Sequence, residues 1–378
     1  MVFEHKLTLK KMRQLKFGEL FSYLKKSKIK AGDGLEIAQG KYPFFTSSSR
    51  LTKSINIWQE EKPSLIFGTG GEASVHHADD KFSVSTDCLV AQPNEEYELY
   101  VKFVYYYLSG NIRILEDGFK GAGLKHISRR YIDEIKIPLP PLETQKQIAQ
   151  TLDDAAVLRD KTQQLLNEYD QLAQSIFLEM FGDPVTNPKG WEKSQTINYA
   201  KCIVPGRDKP KSFTGETPWV TTNDLNHLNY THNSKNEIGL NKEEISKVRA
   251  KVIPSGSVII TCVGDLGIAS VNSRDIVVNQ QLHTFQCSDK LNNIFLMFNL
   301  SFQKYYMYKM ASSTTVPYMN KTIANSIPTI VPPIHLQNQF ADKIALIEQQ
   351  KDLAKQELQE SDDLFQALLQ KAFKGELV

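Results

Sequence analysis

The chain contains an internal repeat, and this repeat restricts the possible folds more than any other feature. Residues 142–181 return 192 positions later without a gap, and eleven positions are identical, among them Gln145 with Gln337 and Phe181 with Phe373. Surface loops tolerate insertions, which would have broken this register. We therefore expect one rigid element that is built twice.

Both copies of the repeat have the pattern of a long helix. Residues 142–181 and 335–373 contain neither glycine nor proline, a Pro-Pro pair precedes each copy, and a glycine follows each. Proline is tolerated at a helix start, and glycine is common just after a helix end. At ~1.5 Å per residue, each helix would be about 60 Å long. We expect antiparallel packing of the two helices through apolar seams, formed by Leu158, Leu165, Tyr169, Leu172 and Ile176 and by Ile344, Ile347, Ala354, Leu358, Leu364 and Leu368.

The segments before the two helices predict a pair of globular lobes. Short strand-like runs such as 64–67 and 257–262 alternate with helical patterns such as 293–310. The sequence predicts an α+β fold with two duplicated α/β lobes separated by two long helices that pack as an antiparallel coiled coil. The expected parts are a first lobe over 1–141, a first helix over 142–182, a second lobe over 183–333 and a second helix over 334–378.

The charge alternates along the chain although the net charge is only +2. Residues 1–142 hold 21 basic and 17 acidic residues and residues 183–334 hold 16 and 11, whereas both helical segments have more acidic than basic residues. Basic lobes favour binding to a polyanion. The four scattered cysteines argue against a disulfide scaffold or a zinc module. Without a long apolar run or a signal-peptide pattern, we expect a cytoplasmic protein.

Several local strings, together with the order lobe, helix, lobe, helix, resemble those of one known family. These strings are Ile137-Pro138-Leu139-Pro140-Pro141-Leu142-Glu143-Thr144-Gln145, Ser175-Ile176-Phe177-Leu178-Glu179-Met180-Phe181-Gly182-Asp183 and Leu368-Leu369-Gln370-Lys371-Ala372-Phe373-Lys374-Gly375-Glu376-Leu377. Over essentially its whole length, the chain resembles the specificity subunit of type I restriction-modification systems.

This resemblance implies a function without a catalytic residue on the chain itself. Each lobe would be a target-recognition domain that reads one half of a gapped bipartite DNA site. The helices would set the distance between the halves and dock methyltransferase subunits. The implied partners are double-stranded DNA, two methyltransferase subunits and, through the complex, restriction subunits, but no membrane. No cofactor or metal is expected on this chain, and S-adenosylmethionine, ATP and magnesium are expected on the partner subunits.

Polar loop residues in both lobes are candidates for DNA contact. Lysine, arginine and small hydroxyl side chains contact phosphates, and asparagine, glutamine, arginine and aspartate can read base edges. The first lobe offers Lys41, Tyr42, Thr46, Ser47, Ser48, Arg50, Thr69, Lys120, Lys125, His126 and Arg130. The second lobe offers Arg207, Lys209, Lys211, Thr221, Thr222, Asn223, Asp224, Asn279, Gln280, Gln281, Thr314, Thr315, Tyr318 and Lys321. For any single residue, a solvated loop is the simpler interpretation.

Two other classes of function stay open at this point. A stand-alone nuclease could use Asp117 with Glu134 and Lys136, a pattern that is also common by chance, and a stand-alone methyltransferase would need a cofactor loop such as 67–71. The histidines and aspartates of 76–80 could hold a metal, although adjacent ligands on an extended chain point in different directions. A coiled-coil adaptor that binds only protein is the third possibility.

Overall fold

The structure is a computed structural model that describes residues 13–206, 208–312 and 316–374, apart from the side chain of Lys374. The chain divides into two compact units, Met1–Gln163 with Gln356–Val378 and Gln164–Lys355. The division falls within both long helices, so each unit contains one lobe and a part of each helix. Across the described ranges, no helix combines the length and the apolar character that crossing a membrane requires.

The first unit is built on two four-stranded sheets. Its strands are β1 (Gln14–Lys16), β2 (Phe21–Tyr23), β3 (Leu35–Glu36), β4 (Tyr42–Phe45), β5 (Lys53–Ile55), β6 (Ser64–Gly68), β7 (Ser74–Ala78), β8 (Ser83–Val84), β9 (Cys88–Pro93) and β10 (Lys136–Pro138). Its helices are α1 (Phe17–Leu20), α2 (Val101–Gly110), α3 (Arg113–Glu116), α4 (Arg129–Asp133) and the first part of α5 (Leu142–Phe181), and one 3₁₀ turn covers Ala31–Asp33.

Strand β6 is buried along its whole length because both of its faces are covered. The sheets have the orders β2-β9-β6-β7 and β3-β5-β4-β8, and β1 pairs separately with β10. Leu65 and Phe67 of β6 enter the main core with α2 and the long helices, whereas Ile66 enters a second core with Phe45 and Phe82. Successive side chains of a strand point to opposite faces, so one apolar run serves two cores.

The second unit has a similar plan, with two strands added, at Tyr230–Thr231 and Val252–Ile253, and no counterpart of β3. Its strands are β11 (Lys193–Gln195), β12 (Ala200–Ile203), β13 (Thr217–Val220), β14 (Tyr230–Thr231), β15 (Gly239–Leu240), β16 (Val252–Ile253), β17 (Val258–Thr261), β18 (Ala269–Asn272), β19 (Ile276–Val278), β20 (Leu282–Cys287) and β21 (Pro328–Ile330). Its helices are α6 (Lys242–Lys247), α7 (Asn293–Phe302), α8 (Lys304–Met310), α9 (Lys321–Asn325) and the first part of α10 (Ile334–Lys374), with 3₁₀ turns at Thr196–Asn198 and Thr222–Asp224.

The large sheets of the two lobes share their topology, whereas the small sheets share three strands and differ in the fourth. The large sheet of the second unit has the order β12-β20-β17-β18-β14, which matches β2-β9-β6-β7 with β14 added at the edge. The small sheet, β15-β13-β19-β16, contains the parallel pair β13–β19, as the first unit contains the parallel pair β4–β8. The expected α+β fold with duplicated lobes is confirmed.

The long helices pack antiparallel through a seam that has the same positions in both copies. In the first unit, Ile148 and Leu152 near the start of α5 share a core with Leu369 and Ala372 near the end of α10. In the second unit, the end of α5 and the start of α10 share the other main core. The positions at three- and four-residue spacing are buried or half-buried throughout: 145, 148, 152, 155, 159, 162, 166, 169, 173, 176 and 180 in α5, and the same positions plus 192 in α10.

Part of the predicted seam was wrong. Leu158, Leu165 and Leu172 recur every seven residues, but they are 50%, 37% and 45% exposed, and Leu364 is also exposed. Small or polar residues such as Ala155, Thr162 and Ser361 occupy the buried positions there instead. The other predicted positions, including Tyr169, Ile176, Ile344, Ile347 and Ala354, do lie on the buried or half-buried side.

A buried glutamine attaches each lobe to the start of its own helix. Gln145 donates from Nε2 to the carbonyls of Pro140 and Glu98, at 2.9 and 3.2 Å, and its Oε1 accepts from Tyr100 N at 2.8 Å. At the equivalent position of the second copy, Gln337 makes the same three bonds, to Pro332 O at 2.7 Å, Lys290 O at 3.2 Å and Asn292 N at 2.8 Å. Both glutamines are fully buried. Each lobe is therefore fixed to its helix in the same way.

Candidate nucleic-acid interface

Four connections meet beside one another in the first lobe, and we call residues 46–50, 69–71, 85–87 and 120–126 its loop face. They follow β4, β6 and β8 and precede α4, and backbone hydrogen bonds link them. Ser85 N donates to Phe45 O at 2.8 Å, Thr69 N donates to Asp87 O at 2.9 Å, and Ile127 N donates to Thr69 O at 3.2 Å. Loops at the ends of adjacent strands are thereby brought together on a rigid sheet scaffold.

The second lobe has an equivalent loop face, formed by residues 221–224, 262–264, 279–281 and 316–319. Asn279 N donates to Val220 O at 2.9 Å, Cys262 N to Gln281 O at 2.8 Å, and Met319 N to Cys262 O at 2.8 Å. These bonds correspond one by one to those of the first lobe. The correspondence follows from the shared order of the strands.

The loop face of the first lobe includes most of the predicted DNA-contact residues of that lobe. Its members are Thr46, Ser47, Ser48, Arg50, Thr69, Lys120, Lys125 and His126, and of these Ser48, Arg50, Lys120, Lys125 and His126 are exposed. Lys41 and Tyr42 lie elsewhere, on a cavity of about 410 Å³ that His77, Asp79 and Lys81 also line. Arg130 is exposed on α4.

The second lobe brings Thr221, Thr222, Asn223, Asn279, Gln280, Gln281 and Tyr318 onto its loop face. Lys209 and Lys211 instead line a cavity of about 470 Å³ with Glu244 and Lys247. Lys321 is exposed at the first position of α9. Arg207, Thr314 and Thr315 were also predicted to contact DNA, and they lie outside the described residues.

Asp224 differs from its expected exposed position. It is only 4% exposed, and its Oδ2 accepts from Thr221 N and Thr221 Oγ1, both at 2.7 Å, while its Oδ1 accepts from Lys235 N at 2.7 Å. The residue follows a strand and caps a 3₁₀ turn, a role for which its short carboxylate is well suited. Its carboxylate therefore holds the Thr221–Asn223 loop in shape rather than being presented on the surface.

Two imidazoles, the half-buried His76 and the buried His283, contact carbonyl groups of the loop faces. Burial lowers the pKa of His76, whose Nε2 lies 2.8 Å from Ser48 O and donates to it. Burial also lowers the pKa of His283, whose Nε2 lies 3.0 Å from Met319 O. A neutral ring that donates to a loop carbonyl positions the loop without adding charge.

Near the Lys209 cavity, hydrogen bonds from Ser212, Asn241 and Thr214 lower the pKa of the Glu244 carboxyl to about 2.

Sequence reasoning missed the segment Thr86-Asp87 of the first loop face. Asp87 O accepts from both Thr69 N and Thr69 Oγ1 at 2.9 Å, which places this segment beside the Thr69–Gly71 turn. The signal was present in the repeat. Residues 85–87 after β8 correspond in the structure to Asn279–Gln281 after β19, which the sequence does predict to contact DNA.

The structure gives the surroundings of several residues that the nuclease-like and metal-binding patterns contain. Glu134, part of the nuclease-like pattern, lies 2.7 Å from Lys16 Nζ in a surface ion pair. Within the described ranges, no group of three or more histidine, cysteine, aspartate or glutamate residues is arranged to hold a metal ion. Burial raises the pKa of all four thiols, to about 11 for Cys88 and Cys202 and to about 12 for Cys262 and Cys287. Protonated thiols are poor nucleophiles at neutral pH.

Comparison with known proteins agrees with this geometry. The family model described as "Type I restriction modification DNA specificity domain" matches residues 10–168 and 192–360. The EcoDI specificity subunit of a type I restriction enzyme from Escherichia coli is 21% identical over 379 residues, covering 89% of this chain and 83% of that protein. The EcoBI specificity subunit from the same species is 23% identical over 356 residues, covering 83% of this chain and 73% of that protein.

Solved structures share the fold of the whole chain. The crystal structure of a type I restriction-modification S subunit from M. genitalium superimposes with a TM-score of 0.59 at 17% identity, covering 99% of this chain and 98% of that one. A chain from a study of complex assembly in the type I system gives a TM-score of 0.57 at 18% identity, covering 97% and 98%. Since the family model matches one segment in each half of the repeat and together most of the sequence, this chain belongs to the family of type I restriction-modification specificity subunits.

Proposed function

We propose that each lobe reads one half of a gapped bipartite DNA site with its loop face, while the long helices set the separation of the halves and dock methyltransferase subunits. The chain itself would carry no catalytic step. The observation that supports this proposal best is the pair of loop faces. Both are built from the same four connections with equivalent backbone hydrogen bonds, yet they present different side chains.

The charge near the loop faces suits a nucleic acid. Residues 120–130 contain four basic residues and no acidic one, and residues 304–321 contain three basic residues and no acidic one. Exposed cations that neutralise phosphates would supply sequence-independent affinity. Side chains such as Asn223, Asn279 and Gln281 offer the paired donors and acceptors that base edges require. The basic side chains would thus supply affinity for any DNA, and the amide side chains of the same surface would supply specificity for its base sequence.

The helices have the properties that a spacer needs. A 40-residue helix rises about 60 Å, which exceeds one turn of duplex DNA at ~34 Å. Gln145 and Gln337 fix each lobe to the start of a helix through three hydrogen bonds. Such attachments would transmit the length of the helix to the separation of the two half-sites.

The exposed leucines on the helices offer surface to a partner subunit. In the second unit, Leu165 and Leu172 of α5 and Leu346 and Leu353 of α10 are 37–63% exposed. Leucines at seven-residue spacing are the usual contact residues between helices. One of the structurally similar chains comes from a study of complex assembly in a type I restriction-modification system. We assign these leucines to the docking of a methyltransferase subunit.

An exchange of one lobe tests the half-site reading directly. Residues 183–333 would be replaced by the corresponding lobe of a relative with a different recognition site, and the full complex would be expressed in cells. Sequencing of modified bases should show a change in one half of the recognised site and none in the other. A change in both halves, or in neither, would contradict the proposal. The purified parent chain with magnesium or S-adenosylmethionine alone should neither cut nor methylate DNA.

A further inference from the structure

Each lobe has one short backbone bridge at its loop face, Lys120 with His126 in the first lobe and Ser312 with Tyr318 in the second, and we call residues 120–126 the hairpin of the first lobe. In the first lobe, Lys120 and His126 exchange two backbone hydrogen bonds of 3.0 Å, and Gly71 N donates to Lys125 O at 3.2 Å. In the second lobe, Ser312 N donates to Tyr318 O at 3.0 Å, and Gly264 N donates to Pro317 O at 3.0 Å. The two segments are separated by 192 residues, the offset of the helix repeat.

In both lobes an aliphatic residue lies two positions before the second residue of the bridge, Leu124 before His126 and Val316 before Tyr318. Leu124 is 73% exposed, which makes it one of the most exposed large apolar side chains of the described residues, and Val316, 192 positions later, is 50% exposed. The flanking residues differ, since Lys125 and His126 correspond to Pro317 and Tyr318. Diverged neighbours around a retained aliphatic residue indicate a shared requirement at that position.

The fold does not explain the leucine at position 124. The neighbouring Gly123 has open space around it, and Leu124 Cδ2 lies 3.5 Å from the place that a Cβ on Gly70 would take. An aliphatic side chain so exposed gains little from burial in the free protein. The residues around it carry positive charge, because Lys120 and Lys125 flank it and no acidic residue occurs between 120 and 130. Positive charge favours a nucleic acid over an apolar protein surface as the partner of this side chain.

The chemistry of DNA supplies a contact for such a side chain. A two-stranded ribbon fits the major groove, and the apolar feature exposed there is the 5-methyl group of thymine. We propose that the hairpin of the first lobe enters the major groove and that Leu124 reads a thymine methyl group, with Lys120 and Lys125 on the flanking phosphates. Val316 makes the equivalent contact in the other half-site. This inference rests on the proposed function, because it assigns a base contact to the same loop face.

Single replacement of thymine by uracil removes only the methyl group and therefore tests this contact. The full chain in its complex with methyltransferase subunits would be titrated with duplexes in which each thymine of the recognised site is replaced in turn. Burial of one methyl group is worth about a four-fold change in affinity. We expect the parent to lose about that factor at one thymine in each half-site. Leu124→Ala should bind thymine and uracil equally at the first-lobe position only, and Val316→Ala should do so only in the other half.

Ile57→Ala is the matched control. Ile57 is an aliphatic residue of the first lobe, 55% exposed and outside the loop face, so its loss should leave the uracil scan unchanged. The inference is overturned if Leu124→Ala retains the thymine preference of the parent, or if a half-site holds no thymine. It is also overturned if 2-aminopurine fluorescence shows an unstacked step at the hairpin, since that would make Leu124 a wedge. If the parent complex shows no sequence-specific binding at all, the proposed function itself fails.

Discussion

The glutamine that attaches each lobe to its helix gives the sharpest test of the architecture. Replacement of Gln145 by alanine removes three hydrogen bonds of 2.8, 2.9 and 3.2 Å from a fully buried position. Tyr100 N then has no acceptor, and the carbonyls of Pro140 and Glu98 lose a donor. A buried group left without its partner costs about 1–3 kcal/mol, so we expect a total of about 2–4 kcal/mol for the variant.

The repeat supplies both a duplicate and a control for this measurement. Gln337→Ala should have a similar cost, because Gln337 makes the same three bonds in the second copy. Gln147→Ala and Gln339→Ala remove the same side chain two residues further along each helix, where it is exposed. Exposed substitutions of this kind change stability by about 0.5 kcal/mol or less.

Hydrogen exchange followed by mass spectrometry localises the effect. In Gln145→Ala, amides of the segment 97–101 should exchange faster by about 30-fold to several hundred-fold, which is 2–4 kcal/mol at ~1.4 kcal/mol per factor of ten. In Gln337→Ala, the faster segment should be 289–293. Equal exchange in Gln145→Ala and Gln147→Ala would refute the argument that the buried glutamine holds the lobe to the helix.

Three further substitutions test other parts of the molecule. Leu172→Asp should leave the thermal unfolding temperature nearly unchanged, since the side chain is exposed, but it should weaken co-purification with a methyltransferase subunit. If the variant is unfolded at room temperature, Leu172 belongs to the buried seam after all. Phe177→Ala should destabilise the second unit by about 3–5 kcal/mol in denaturant titrations, because its fully buried ring contacts five other phenylalanine rings. Glu244→Gln should make the free energy of unfolding depend less on pH between pH 4.5 and about 2. A carboxyl whose pKa is lowered in the folded state stabilises the fold at a pH above its ordinary pKa, and this stabilisation is lost as the pH falls through the pKa of the folded state. If Glu244→Gln leaves the pH dependence of unfolding below pH 4.5 unchanged, the hydrogen bonds of Glu244 to Thr214 and Asn241 do not lower the pKa of its carboxyl in the folded state, and the prediction is wrong.

The sequence predicted the long helices well because their signals are local. Prolines before each helix and glycines after it agree with observed bounds of Leu142–Phe181 and Ile334–Lys374. The seam was predicted less well, since leucines at heptad spacing predict burial but lie on the exposed side. Small side chains such as Ala155 and Ala354 occupy buried positions of the seam, and leucines such as Leu158 and Leu353 lie beside them on the exposed side.

The loop faces could be predicted only in part because they depend on contacts far apart in the sequence. Which loops meet is decided by strand pairing, as in the parallel pair β4–β8 that brings Ser85 beside Phe45. Residue type identified most members, yet it could not show that Lys41 lies on a separate cavity or that Asp224 is buried. Asparagine and aspartate occur after strands both as residues that cap a turn and as residues that face solvent, so residue type alone does not distinguish the two roles.

Several of the bonds that link the turns of the loop faces run from main chain to main chain. Every amino acid except proline supplies the same N–H group, and every amino acid supplies the same carbonyl. Substitution at positions such as Lys125 or Gln281 therefore leaves the bonds from Gly71 N to Lys125 O and from Cys262 N to Gln281 O in place. Side chains at such positions can accordingly be replaced on either loop face, one lobe at a time, with little loss of folding stability. Under the proposed function, point mutations on a loop face can therefore change the DNA sequence that it reads.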